Sequence, residues 1–85
     1  MPYTAKFSKI FLKKHARLPS GIKLRVTENL KEILIKPHIG IMLVGPLRGV
    51  WKAKVGKYRI LYEINENEKT VIFHNVELRK RVYKR

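Results

Sequence analysis

Gly49-Val50-Trp51-Lys52-Ala53-Lys54-Val55-Gly56-Lys57-Tyr58-Arg59-Ile60-Leu61-Tyr62 holds two β-prone runs separated by two residues, the first of them glycine. Val50 to Val55 alternates, and Tyr58 to Ile64 is rich in aromatic and branched side chains. This is the pattern of a β-hairpin closed by a type II′ turn at Gly56-Lys57. A two-residue loop sets the register by counting: Val55 pairs with Tyr58, Lys54 with Arg59, Ala53 with Ile60 and Trp51 with Tyr62. Successive side chains point to opposite faces of a strand. One face of the hairpin therefore carries Trp51, Ala53, Val55, Tyr58, Ile60 and Tyr62, an apolar surface to pack on helices. The other carries Lys52, Lys54 and Arg59. Like charges directly opposite one another on neighbouring strands are unfavourable, so the Lys54/Arg59 pair suggests that an anion binds there.

The remainder of the chain supplies what the apolar face needs. Tyr3 to Phe7 reads as a short first strand, and Ser8 as the N-cap of a helix over about Lys9 to Arg17, with Phe7, Ile10, Phe11 and Leu18 as its inward stripe. Pro19-Ser20-Gly21 breaks that helix. Ser20 is then placed to cap a second, in which Ile22, Val26, Leu30, Ile33 and Leu34 line one face until Pro37 and Gly40 end it. Gly40 to Gly49 reads as a connecting loop whose apolar middle, Ile41 to Val44, tucks under the sheet. After the hairpin, Asn65 to Glu68 forms a turn and Val71 to Val76 a last strand. Alternation does not settle which face of that strand carries His74. The expected fold is α+β: an N-terminal strand, an antiparallel two-helix hairpin packed on one face of a sheet, and a three-stranded antiparallel meander, all in a single domain over residues 1–85.

Composition narrows the function. With 85 residues there is one core and no room for a second domain. Cysteine is absent, which excludes disulfides and thiolate metal sites and fits a cytoplasmic protein. No apolar run reaches membrane-spanning length and no signal-peptide pattern opens the chain, so no membrane partner is expected. Twenty Lys and Arg against six acidic residues give a formal charge of +14, typical of proteins that bind polyanions. Half of the cations fall in two short stretches, Arg48, Lys52, Lys54, Lys57 and Arg59 in one, and Arg79, Lys80, Arg81, Lys84 and Arg85 in the other.

No aspartate is present for a triad or an aspartyl dyad, the three histidines are dispersed, and no glycine-rich phosphate loop occurs. No metal or other cofactor is expected. His15 falls near the inward stripe of the first helix and reads as a boundary residue. A rigid cluster of Lys and Arg can stabilise the charge that develops on a phosphorane. RNA brings its own nucleophile, the 2′-hydroxyl, and a lysine flanked by other cations, as Lys54 is by Lys52 and Arg59, can act as its base.

The segment Pro46-Leu47-Arg48-Gly49-Val50-Trp51-Lys52-Ala53-Lys54-Val55-Gly56-Lys57-Tyr58-Arg59-Ile60-Leu61-Tyr62, with the ending Val76-Glu77-Leu78-Arg79-Lys80-Arg81-Val82-Tyr83, resembles the RelE/ParE toxin superfamily. Within it the chain is similar to the RelE-like mRNA interferases of type II toxin-antitoxin systems. The resemblance spans nearly the whole chain. It implies a metal-independent endoribonuclease that cleaves mRNA in the ribosomal A site and inhibits translation. Lys52 and Lys54 match the paired catalytic lysines, Arg59 the arginine after the tyrosine, Arg79 a second arginine, and Tyr83 a C-terminal tyrosine that orients the cleaved nucleotide. Lys54 would be the general base, Lys52 and Arg59 would stabilise the phosphorane, and Arg79 would assist the leaving oxygen. Arg48, Lys57, Lys80, Arg81, Lys84 and Arg85 would contact RNA or ribosome. The implied partners are the ribosome, mRNA and a RelB-like antitoxin, acidic and partly flexible. Two other functions are compatible with the same chain: gyrase poisoning, as in ParE-like members, and non-catalytic nucleic-acid binding.

Overall fold

The computed structural model describes residues 2–78. The elements, in chain order, are β1 (Thr4–Phe7), α1 (Lys9–Ala16), α2 (Ser20–Ile35), β2 (Ile41–Met42), β3 (Trp51–Val55), β4 (Tyr58–Asn65) and β5 (Thr70–Leu78), with 3₁₀ turns at Pro37–Ile39 and Gly45–Leu47. The strands form one five-stranded sheet in the order β1-β5-β4-β3-β2, with β1 parallel to β5 and the other pairs antiparallel.

The β3–β4 hairpin has the register counted from the sequence, from Val55↔Tyr58 through Lys54↔Arg59 to Trp51↔Tyr62. Gly56 has φ +61° and Lys57 is not among the positive-φ residues, as a type II′ turn requires. Ala53, Val55, Ile60 and Tyr62 of this hairpin are buried with Val71, Phe73 and Val76 of β5, under Phe11 of α1 and Val26, Leu30 and Ile33 of α2. Both helices thus cover one face of the sheet. Phe11, Phe7 and Phe73 meet with ring centroids 5.3 to 5.8 Å apart.

Ser8 caps α1, its hydroxyl oxygen accepting from Phe11 N–H at 3.0 Å. The same hydroxyl donates to the carbonyl of His74 at 2.7 Å, and the Ser8 amide donates to Phe73 O at 3.0 Å. One residue therefore ends β1, starts α1 and ties both to β5. His74 is the site of a β-bulge. The β4–β5 ladder runs from Asn65↔Thr70 to Tyr62↔Phe73 and resumes at Leu61↔Asn75, leaving His74 unpaired in the ladder. Beyond the bulge the inward positions change parity, from Val71 and Phe73 to Val76.

Several sequence expectations are corrected. Ser20 does not cap α2: it is the first helical residue, Pro19 occupies the N-cap, and no side chain caps that end. Ile10 faces out, being more than half exposed. The segment after Gly40 is not wholly loop, because Ile41 and Met42 pair with Lys52 and Trp51 as an edge strand. Nor does its apolar middle tuck under the sheet, since Ile41, Met42 and Val44 are exposed, Val44 at 82%. Ile41 pairs with Lys52 and so shares its open face, and β2 is the edge strand of the sheet.

Candidate functional site

The sheet face turned away from the helices carries the cations that the hairpin count assigned to it. Lys54 of β3, Arg59 of β4 and Glu77 of β5 stand side by side in one rung across three strands. Arg59 Nε donates to Glu77 Oε2 at 2.8 Å, and Nη2 lies 2.7 Å from the same oxygen as an ion pair. Asn75 Nδ2 donates to the other oxygen, Oε1, at 3.1 Å. The side chains of Arg59 and Glu77 are only 25% and 27% exposed, so water screens this pair less than a surface pair. Lys54 is exposed and Lys52 half-buried, and neither has an ion-pair partner among the described residues.

Glu77, on the other side of Arg59, offsets one of the two like charges from within the chain, while Lys54 has no such partner among the described residues. Sequence reading missed Glu77 because its facing depends on the bulge at His74. With an unbroken ladder, Arg59 would oppose Val76 and Glu77 would point to the helices. One signal was present: the apolar positions of β5 shift from odd to even between Phe73 and Val76.

His74 lies on the same open face as Glu63, with Nε2 3.4 Å from Glu63 Oε2. That nitrogen and Asn75 Oδ1 are both buried and have no hydrogen-bond partner among the described residues. Arg48 is exposed at the end of the second 3₁₀ turn, and Lys57 is exposed at the hairpin tip. Near Lys57, a shallow groove lined by Ile22, Arg25, Gly56, Tyr58 and Leu78 brings in Arg25 of α2, a cation the sequence reading did not single out. Arg79, Lys80, Arg81, Tyr83, Lys84 and Arg85 lie outside the described residues.

The other histidines belong to the framework. His15 stacks on Phe11 at 5.7 Å and lies 3.4 Å from Thr27 Oγ1, and burial, with Lys23 nearby, pushes its pKa below the ordinary value. His38 sits edge-on to Trp51 and pairs with Glu66 Oε2 at 2.9 Å. Glu66 accepts the Tyr3 hydroxyl on its other oxygen at 2.7 Å, a bond that draws its carboxyl below the usual range. Among the described residues no group of three His, Cys, Asp or Glu side chains could hold a metal ion. No described helix is long and apolar enough to cross a membrane.

The described residues form a small basic α+β fold with Lys52, Lys54 and Arg59 on the sheet face opposite α1 and α2. Residues 3–83 match the family described as the ParE toxin of type II toxin-antitoxin systems, parDE, and the chain belongs to that family within the RelE/ParE superfamily. Toxin RelG of Mycobacterium tuberculosis (strain ATCC 25618 / H37Rv) is 32% identical, the alignment covering 100% of each chain. Among solved structures, the toxin-antitoxin complex RelBE2 of Mycobacterium tuberculosis matches with a TM-score of 0.85 and 31% identity, covering 93% of each chain. The archaeal RelE-RelB complex of Pyrococcus horikoshii OT3 matches with a TM-score of 0.78 and 25% identity, over 96% of this chain and 100% of that one.

Proposed function

We propose that this type II toxin is a ribosome-dependent endoribonuclease that cleaves mRNA in the ribosomal A site and so stops translation in the cytoplasm. The observation that carries this reading is the sheet face opposite α1 and α2, on which Lys52, Lys54 and Arg59 stand on adjacent strands. A 2′-hydroxyl attacks the neighbouring phosphorus, forming an O2′–P bond while the P–O5′ bond breaks. The products are a 2′,3′-cyclic phosphate and a 5′-hydroxyl. Lys54 takes the proton of the 2′-hydroxyl, while Lys52 and Arg59 meet the charge on the non-bridging oxygens. Arg79 stabilises the negative charge on the leaving oxygen, which takes its proton from water, and Tyr83 stacks on the nucleotide; both roles rest on the family pattern. Arg48 and Lys57, with Lys80, Arg81, Lys84 and Arg85, hold phosphates of mRNA or ribosomal RNA.

A domain this small cannot enclose a strand and align its backbone alone, which is why the ribosome is assigned the positioning. The cognate partner is an acidic, partly flexible RelB-like antitoxin that covers the cationic face. The toxin-antitoxin complexes of the Mycobacterium tuberculosis and Pyrococcus horikoshii relatives support that assignment. The test is primer extension on the same transcript, translated and free. Cuts at codon positions only in the translated transcript are expected. Equal cutting of free RNA would remove the ribosome requirement, and no RNA cutting together with gyrase-linked DNA breaks would replace this reading by the gyrase-poisoning one.

A further inference from the structure

We infer that Glu77 is a positioning residue of this site, holding Arg59 in a fixed orientation while cancelling its charge in the resting protein. The inference rests on the nuclease reading and deepens it. Arg59 turns its Nε–Nη2 edge to Glu77 Oε2, with Nε donating and Nη2 2.7 Å away, which leaves its other edge for a phosphate. A hydrogen bond and a close ion-pair contact to one oxygen hold the planar guanidinium in orientation. Glu77 is itself held, because Asn75 Nδ2 occupies its second oxygen. The order of dependence is Asn75, then Glu77, then Arg59, running along β5 and across to β4.

Electrostatics give this arrangement a second consequence. With Arg59 neutralised and Lys54 uncharged when it acts as the base, the attraction of the site for a ground-state phosphodiester comes mainly from Lys52, two residues from Lys54 along β3. Arg59 then contributes directed donors more than net charge. Such donors act when the phosphorane develops extra charge on its oxygens, since an interaction stronger in the transition state than in the ground state accelerates the reaction. Removal of the carboxylate would add a positive charge to the site and loosen the guanidinium together. Binding and turnover should therefore move in opposite directions.

The experiment compares Glu77→Gln, Glu77→Asp and Asn75→Ala with wild type, using single-turnover cleavage on programmed ribosomes and equilibrium binding to a single-stranded RNA oligonucleotide across a salt series. Glu77→Gln, which keeps the size and loses the charge, should bind the oligonucleotide more tightly. The slope of log affinity against log salt should steepen by roughly 0.7 for the one added phosphate contact. Its maximal cleavage rate should fall, by up to about 10²-fold for a misplacement near 1 Å. Glu77→Asp keeps the charge and shortens the reach, so its salt slope should equal that of wild type while its rate falls. Asn75→Ala should show a smaller loss of rate with no change of slope.

Thermal unfolding of each variant identifies any that fails to fold, and the remaining two still decide the matter. Unchanged cleavage in Glu77→Asp and Asn75→Ala, or an unchanged salt slope in Glu77→Gln, would overturn the inference. If wild type does not cleave, the nuclease reading falls separately, and the salt slopes alone decide whether Glu77 offsets Arg59.

Discussion

Gly40 and Tyr62 are in contact so close that nothing larger than hydrogen fits at residue 40. A Cβ built there would lie 2.5 Å from Tyr62 Oη and 2.5 Å from the carbonyl oxygen of Lys52. Tyr62 is fully buried, and its hydroxyl donates to Pro37 O at 2.8 Å. The 3₁₀ turn after α2, the start of β2 and the Lys52 position of the site thus meet around one phenol. Gly40→Ala should cost about 1–3 kcal/mol through overpacking, and Tyr62→Phe about 1 kcal/mol through the lost hydrogen bond. Thermal unfolding checks both, at roughly 4–8 °C per kcal/mol for a domain of this size. A Gly40→Ala protein as stable as wild type would show that the strand edge yields.

Arg59 and Lys54 should be separable from the general phosphate contacts. Arg59→Ala is expected to lose cleavage by on the order of 10²–10³-fold while keeping most of its ribosome affinity. Lys13→Ala on α1 serves as a control that changes charge away from the sheet face. Lys54→Arg keeps the charge but replaces an amine that can lose its proton with a guanidinium that does not. Its single-turnover rate at saturating ribosome should drop, and a wild-type rate would reduce Lys54 to an electrostatic role.

Ser8 joins the α1 cap to the bulge carbonyl of His74. Ser8→Ala should therefore cost more than an isolated cap, toward the upper end of about 0.5–2 kcal/mol. Amide exchange of the β5 residues on either side of the bulge should quicken in the same variant. Loss of stability with unchanged exchange in β5 would limit Ser8 to helix capping.

His15 carries a pH dependence of defined sign. Burial first, then Lys23, lowers its folded-state pKa below the ordinary value of 6.5. The unfolded chain then binds more protons below that pH, so stability is lost as pH falls through about 6.5 and the loss saturates below the folded-state value. Urea unfolding at neutral pH and about one unit below 6.5 should give a smaller drop for His15→Gln than for wild type. Parallel behaviour of the two proteins would remove His15 as the source.

Association with an acidic antitoxin should slow as salt rises, because charge steering is screened over roughly 8 Å at physiological ionic strength. Stopped-flow rates across a salt series measure this. A salt-independent rate would leave the contact mainly apolar.

The central hairpin was legible in the sequence because its register depends on chain-local facts, a glycine that tolerates positive φ and a two-residue loop between period-2 runs. The same count located Lys52, Lys54 and Arg59 on one face and the core residues on the other. The buried stripe of α2 was legible for a similar reason, since Val26, Leu30 and Ile33 repeat at helical spacing. What lay opposite Arg59 on its other side was not legible, because it depends on a single unpaired residue in a neighbouring strand. That bulge coincides with an anchor from sixty-six residues away, the Ser8 hydroxyl on the His74 carbonyl. Alternation along β5 offers two phases, and tertiary structure selects one for Val71 and Phe73 and the other for Val76. The switch turns Glu77 outward onto Arg59, converting a pair of like charges into an ion-paired rung. The edge strand at Ile41-Met42 was hidden for a different reason: two residues carry no periodicity, and the free edge of β3 is what makes them a strand.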